Sequence, residues 1–201
     1  MLRPVLSFLT TLLIAGSALA AVTVGEPAPA FSGTDVLSGE PISNESLKGK
    51  TVVLEWNNPD CPFVKKFYSV GAMQALQAKA ARNGVVWVGI NSSAAGKEGY
   101  LKDAAQAKAA LAERQSNTRH YLLDHDGRIG HAYAAKTTPH MFIIDPQGIL
   151  VYQGAIDNKP SADTADIATA TNYVTEALNA LKHGKPIKTA TTQPYGCFIK
   201  Y

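Results

Sequence analysis

Only two cysteines occur in the 201 residues, Cys61 and Cys197, and their surroundings decide what chemistry their sulfurs can do. Cys61 follows the turn-forming run Asn57-Asn58-Pro59-Asp60 and opens a segment in which Phe63, Phe67, Val70 and Leu76 recur at helical spacing. A sulfur at that junction meets the unpaired backbone N–H groups of a first helical turn and the positive end of the helix dipole. Both favour thiolate over thiol. Lys65, one turn along the same face, adds a favourable charge and Asp60 an opposing one. Pro62 suits the first turn, where its missing N–H costs nothing. A thiolate so placed can attack a disulfide sulfur or a peroxide oxygen. The competing reading of a lone cysteine is a small buried apolar residue without chemistry. Its position at a strand-to-helix turn favours function.

A second constellation is Thr137-Thr138-Pro139, which places a proline at the first residue of an apolar strand. A cis bond and a trans proline opening an edge strand both fit there. His140 follows, and either an acid role near the site or ordinary solvation of a surface histidine suits it.

The elements that must position these residues can be read from periodicity. Thr51-Val-Val-Leu-Glu-Trp56 is a short β-branched and aromatic run, expected to be a buried central strand, and the helix from Cys61 should run to Asn83-Gly84 with a kink at Gly71. Val85 to Ile90 reads as a second buried strand, about Gly99 to Gln115 as a second helix, and His120 to Asp124 as a third strand. A short helical turn follows from Gly127 to Ala134. Met141 to Ile144 and Ile149 to Tyr152 flank Asp145-Pro-Gln-Gly148, which is hairpin chemistry. Asp166 to Lys182 reads as a closing helix, stopped by Gly184, and a polar tail from about residue 185 carries Cys197. The extended, proline-spaced stretch Val24 to Phe31 leads into the domain, with Gly39 and Gly49 punctuating a polar approach. A βαβαβ half followed by a ββα half is an α/β arrangement with a central mixed sheet flanked by helices, the thioredoxin fold.

Composition narrows the class. With 46% apolar and 17% charged residues, and no repeats, residues 21–201 suit one globular domain. The apolar run from Pro4 to Ala18 behind Arg3, ending Ala18-Leu-Ala20, reads as a secretory signal over residues 1–20 rather than a membrane anchor. Its cleavage would leave a periplasmic or secreted protein with no stable membrane insertion. The formal net charge of +3 falls by the one charge of Arg3 to about +2, with Lys and Arg scattered, so no nucleic-acid footprint is present. Two cysteines are too few for a disulfide scaffold, and a domain of this size buries enough core to need no staple.

Trp56-Asn-Asn-Pro-Asp-Cys61-Pro-Phe-Val-Lys65, Thr138-Pro139-His-Met-Phe-Ile-Ile-Asp145, Tyr152-Gln-Gly154 and Gly196-Cys-Phe-Ile-Lys-Tyr201 together resemble the thioredoxin-like redoxins of the peroxiredoxin-like type. The resemblance implies an antioxidant or thiol-based oxidoreductase with Cys61 as the reactive thiol and Pro139 as the cis-proline facing it. Two departures qualify it. Val64 replaces the second cysteine of a Cys-x-x-Cys pair, and Leu54 and Asn58 replace the proline and hydroxyl residue of the peroxidase motif Pro-x-x-x-Thr/Ser-x-x-Cys. Asn58 retains an amide able to hydrogen-bond a bound oxygen.

Cys197 is then the remaining candidate partner for Cys61, resolving a sulfenate or mixed disulfide or stapling the fold statically, with two unpaired cysteines as the third alternative. The expected site comprises Cys61 and Cys197 as catalytic groups, with Asn58, Pro62, Lys65, Thr138 and Pro139 around the substrate. The substrate is a peroxide or a disulfide, and an external thiol reductant restores the enzyme. No cofactor is expected. No metal is expected either, because Lys65 stands where a Cys-x-x-x-Cys pair would place its second thiol, despite five histidines. The alternative is a catalytically silent thioredoxin-fold binding protein, for a partner protein or a metal, with a structural Cys61–Cys197 disulfide. Accessibility of Cys61 separates the two.

Overall fold

The computed structural model describes residues 22–201, so the expected leader over residues 1–20 lies outside the described residues. A five-stranded mixed sheet forms the centre: β3 (Val52–Trp56), β4 (Val86–Asn91) and β5 (His120–Leu123) run parallel, and β7 (His140–Ile144) and β8 (Leu150–Gly154) complete it antiparallel. The order across the sheet is β5-β4-β3-β7-β8. All five residues of β3 are buried, as expected for a strand covered on both faces. Val53 packs on one side with α1 (Pro62–Ser69), α2 (Ala72–Arg82) and α5 (Tyr173–Lys182), while Val52, Leu54 and Trp56 pack on the other with Phe31, Ile129 and Tyr133. Each fully buried large apolar side chain contributes about 1.5–3 kcal/mol, so a core on both faces supports the fold without a covalent staple.

The expected long helix after Cys61 is two helices. Gly71, at φ 76°, adopts a left-handed conformation that side chains avoid, and α2 starts afresh after it. The second expected helix begins later than Gly99, as α3 (Ala104–Glu113), where the Asp103 side chain accepts a hydrogen bond from Gln106 N at 2.9 Å. The expected turn between residues 127 and 134 is α4 (Arg128–Ala132).

Two expectations need correction. The closing helix does not begin at Asp166: residues Thr164–Thr169 form a 3-10 turn, and α5 starts after Asn172, whose side chain caps Thr175 N at 2.8 Å. The polar approach segment contains a small antiparallel pair, β1 (Ser32–Thr34) with β2 (Pro41–Ser43), held to β5 through Asp35. Among the described residues no helix is long and apolar enough to cross a membrane.

The tail is an ordered part of the fold. Its segment β9 (Cys197–Phe198) pairs antiparallel with β6 (Thr137–Thr138), setting Cys197 opposite Thr138 and Phe198 opposite Thr137. Before β9, Thr192 is bonded to Gln153, Tyr152 and Ala155; after it, Ile199 N donates to Lys136 O at 3.0 Å and Tyr201 Oη to Ala135 O at 2.9 Å.

Candidate active site

Parallel strands β3 and β4 deliver their C-terminal ends to one edge of the sheet, where Cys61 is the residue before α1. Its turn is closed locally. Asp60 N donates to Asn58 Oδ1 at 2.8 Å, Cys61 N to Asn58 O at 3.2 Å, and Val64 N and Lys65 N to Cys61 O at 3.0 and 2.9 Å. The sulfur is thereby fixed at the positive end of the α1 dipole. Thr138–Pro139 is a cis peptide, and the Cys61 thiol donates to Thr138 O at 3.0 Å. The strand start and the helix start thus meet at the sulfur.

Cys197 joins them from the tail. It packs against the buried cluster that contains Cys61, and both cysteines are free thiols. Burial pushes the Cys197 thiol up to about 12, with the neighbouring Cys61 sulfur and the Glu98 carboxylate adding to it and Lys200 opposing. Two adjacent thiolates repel, so the raised value favours the protonated form of Cys197. Because paired residues in an antiparallel ladder project to the same side, the Thr138 side chain lies on the face of the Cys197 side chain. Its buried Oγ1 has no hydrogen-bond partner.

The geometry departs from the sequence reading at several residues. Cys61 is 0% exposed, covered where an accessible thiol was expected. Lys65 is exposed and makes none of the ion pairs found among the described residues; its neighbour Lys66 is buried instead, 3.9 Å from Asp157 Oδ2. Pro62 is exposed beside the sulfur's helix. Asn58 Oδ1 accepts from Asp60 N within the loop, and Nδ2 donates across to Glu98 O at 3.2 Å. His140 is not a solvated surface histidine. It is buried on Phe142, accepts from Lys136 N at 3.2 Å, and burial with help from the Lys136 charge lowers it to about 3, so the ring is neutral.

A buried polar cluster beneath α1 went unread. Glu55, 0% exposed, accepts from Asn57 Nδ2 (2.9 Å), Tyr68 Oη (3.0 and 3.1 Å), Gln77 Nε2 (3.2 Å) and Trp87 Nε1 (2.8 Å). Arg114 lies over the Tyr68 ring at 4.7 Å. The sequence does carry a signal, a glutamate in the middle of an otherwise apolar strand. Fully satisfied by its four donors, Glu55 ties β3 to α1, α2 and β4. Among the described residues no group of three or more His, Cys, Asp or Glu side chains is arranged to hold a metal ion.

Comparison with solved structures gives the same architecture. An uncharacterized conserved protein from Geobacillus kaustophilus is 28% identical, with TM-score 0.75 over 90% of this chain and 94% of that one. A hypothetical protein from Sinorhizobium meliloti 1021 is 24% identical, with TM-score 0.73 over 90% and 96%. The thioredoxin domain of a thiol-disulfide oxidoreductase from Bacteroides vulgatus shares the fold at 22% identity and TM-score 0.52, over 74% and 98%. No curated protein gives a match. The family model described as Redoxin matches residues 23–171, a span that holds Cys61, the cis Pro139 and the whole central sheet; the chain belongs to the redoxin family, on a thioredoxin fold.

Proposed function

We propose that the protein is an exported thiol-disulfide oxidoreductase, periplasmic or secreted, in which Cys61 is the nucleophile and Cys197 the resolving thiol. One observation carries this reading: the Cys61 sulfur stands at a helix start and donates to Thr138 O, the carbonyl preceding the cis-proline, while Cys197 is paired in register with that same Thr138. A disulfide suits the site better than a peroxide, since Leu54 and Asn58 stand where the peroxidase motif has its proline and hydroxyl residue.

The steps balance as two exchanges. The Cys61 thiolate attacks one sulfur of the substrate disulfide, forming a mixed disulfide and releasing one substrate thiolate, which takes up a proton. Cys61 then carries no charge, so one cause of the raised Cys197 value disappears and Cys197 ionises more readily. Its thiolate attacks the Cys61 sulfur, releasing the second substrate thiol and leaving a Cys61–Cys197 disulfide. An external dithiol reductant restores the pair. Substrate entry requires the tail to lift, because Cys61 is covered.

Oxidised glutathione with mass spectrometry tests the assignment. The native wild type should acquire a Cys61–Cys197 disulfide, and Cys197→Ser should retain glutathione on Cys61. An unmodified Cys61 in native Cys197→Ser overturns the proposal. It would favour a second reading, which the complete burial of Cys61 supports: a silent binding protein with a static disulfide, whose reduction potential would lie below about −300 mV.

A further inference from the structure

The Lys66–Asp157 pair is buried to 0% and 1% side-chain exposure. Taking two charges out of water carries a penalty that their attraction seldom exceeds, and apolar residues of similar volume would fill the same space without it. What the pair holds therefore matters more than its own energy. Asp157 Oδ1 accepts from Lys159 N at 2.9 Å and from the Tyr195 phenol, while Lys66 Nζ donates to Lys159 O at 3.0 Å. The Lys66 ammonium lies 5.8 Å from the centre of the Tyr195 ring, and Phe63 of α1 meets that ring edge-on at 5.9 Å. Asp157 Oδ2 is buried without a hydrogen-bond partner, so the Lys66 ammonium at 3.9 Å is the group that faces it while Oδ1 accepts from Tyr195.

Tyr195 is two residues from Cys197, with no slack between them. Gly196, at φ 133°, passes so close over Thr138 that a Cβ there would stand 2.0 Å from the Thr138 carbonyl oxygen. Held by Asp157 at Tyr195 and pressed on Thr138 at Gly196, the chain has one place to put the Cys197 sulfur.

We propose that Asp157, paired with Lys66, and Tyr195 are positioning residues that hold Cys197 against Cys61 and so set how readily the two sulfurs join. The proposal rests on the redox reading above and names the groups that tune it. The step concerned takes two electrons and two protons from the Cys61 and Cys197 thiols and gives them to oxidised glutathione, yielding the protein disulfide and two molecules of reduced glutathione.

Tyr195→Phe is the test, because it keeps the ring between Phe63 and Lys66 and deletes only the hydroxyl. The equilibrium constant for Cys61–Cys197 disulfide formation against glutathione should fall about ten-fold, the weight of one hydrogen bond to a charged acceptor. A hydroxyl that served stability alone would affect the dithiol and disulfide forms equally and leave this constant unmoved. A constant within two-fold of wild type overturns the positioning role while leaving the redox function standing. Failure of the wild type to form the disulfide overturns both.

Discussion

Around Cys61 the backbone is closed by bonds spanning two to four residues, from Asn58 to Asp60 and Cys61 and from Cys61 to Val64 and Lys65. Around Cys197 the tail from Thr191 onward relies on distant partners: Gln153, Tyr152, Asp157, Thr138, Lys136, Ala94 and Ala135. The two sulfurs meet, but one belongs to a segment anchored in the sheet and the other to a segment with almost no internal bonds of its own. The difference assigns the motion. Local opening draws on segments with few self-sufficient contacts, so the tail can lift and expose Cys61 while the helix start keeps its geometry.

The contrast is sharpened most by Glu55→Ala, which strikes beneath the helix start. It strands the buried donors of Trp87, Tyr68, Gln77 and Asn57, and unfolding in urea should show a loss of about 3 kcal/mol or more for the entire domain. A loss confined to the α1 region, with the remaining sheet unaffected, would break the idea of a rigid base.

Acid should act on the opposite side. The folded value of His140, about 3, lies below its ordinary 6.5, so between those values the unfolded chain binds a proton that the folded chain does not. Stability is complete above about pH 6.5 and falls toward pH 3, with a slope of at most about 1.4 kcal/mol per pH unit from this group. Asp35 adds to the loss at the acid end. Burial opposes its ionisation, but hydrogen bonds from His120, Tyr121 N, Ser38 and Leu37 N overcome this and lower it to about 2 from 3.8, so its contribution is complete above pH 3.8 and is lost as pH falls to about 2. A charged His140 cannot accept from Lys136 N, the neighbour of the carbonyl that holds Ile199. Hydrogen exchange between pH 6.5 and 4 should therefore show the tail opening before α1, and simultaneous opening would refute the contrast.

The smallest effect is the most local. Gly196→Val places a side chain where Thr138 O already lies, so β9 cannot seat. Alkylation of Cys61 in the native reduced protein should accelerate about ten-fold or more, with little change in the urea midpoint. An unchanged alkylation rate would mean that something other than the tail covers the sulfur.

Much of the fold was readable because its signals are local. The β-branched runs of β3 and β4, the helical spacing after Cys61 and the Asp145-Pro-Gln-Gly148 turn each specify an element by themselves. The β1–β2 pair leaves no sequence signal because its short polar strands carry no alternation, and the helical pattern overruns the start of α5 because Ile167 falls in phase with Val174 across a break at Thr171. Within the site, Lys65 and Lys66 are neighbours of one type in one helix. Helical spacing could not tell which of them turns inward, since an inward lysine needs a partner such as Asp157, ninety-one residues away.

By itself, the sequence placed Cys61 where a buried strand turns into a helix and set Thr138–Pro139 at the start of another strand, because strand and helix patterns and turn residues act over a few positions. Tertiary structure alone decided that Cys61 is buried, that the tail brings Cys197 opposite Thr138 beside it, and that Asp157 of a buried ion pair holds Tyr195 two residues away. Those outcomes depend on which surfaces meet when distant segments pack, and burial, hydrogen-bond partnership and charge environment come into existence only at that step.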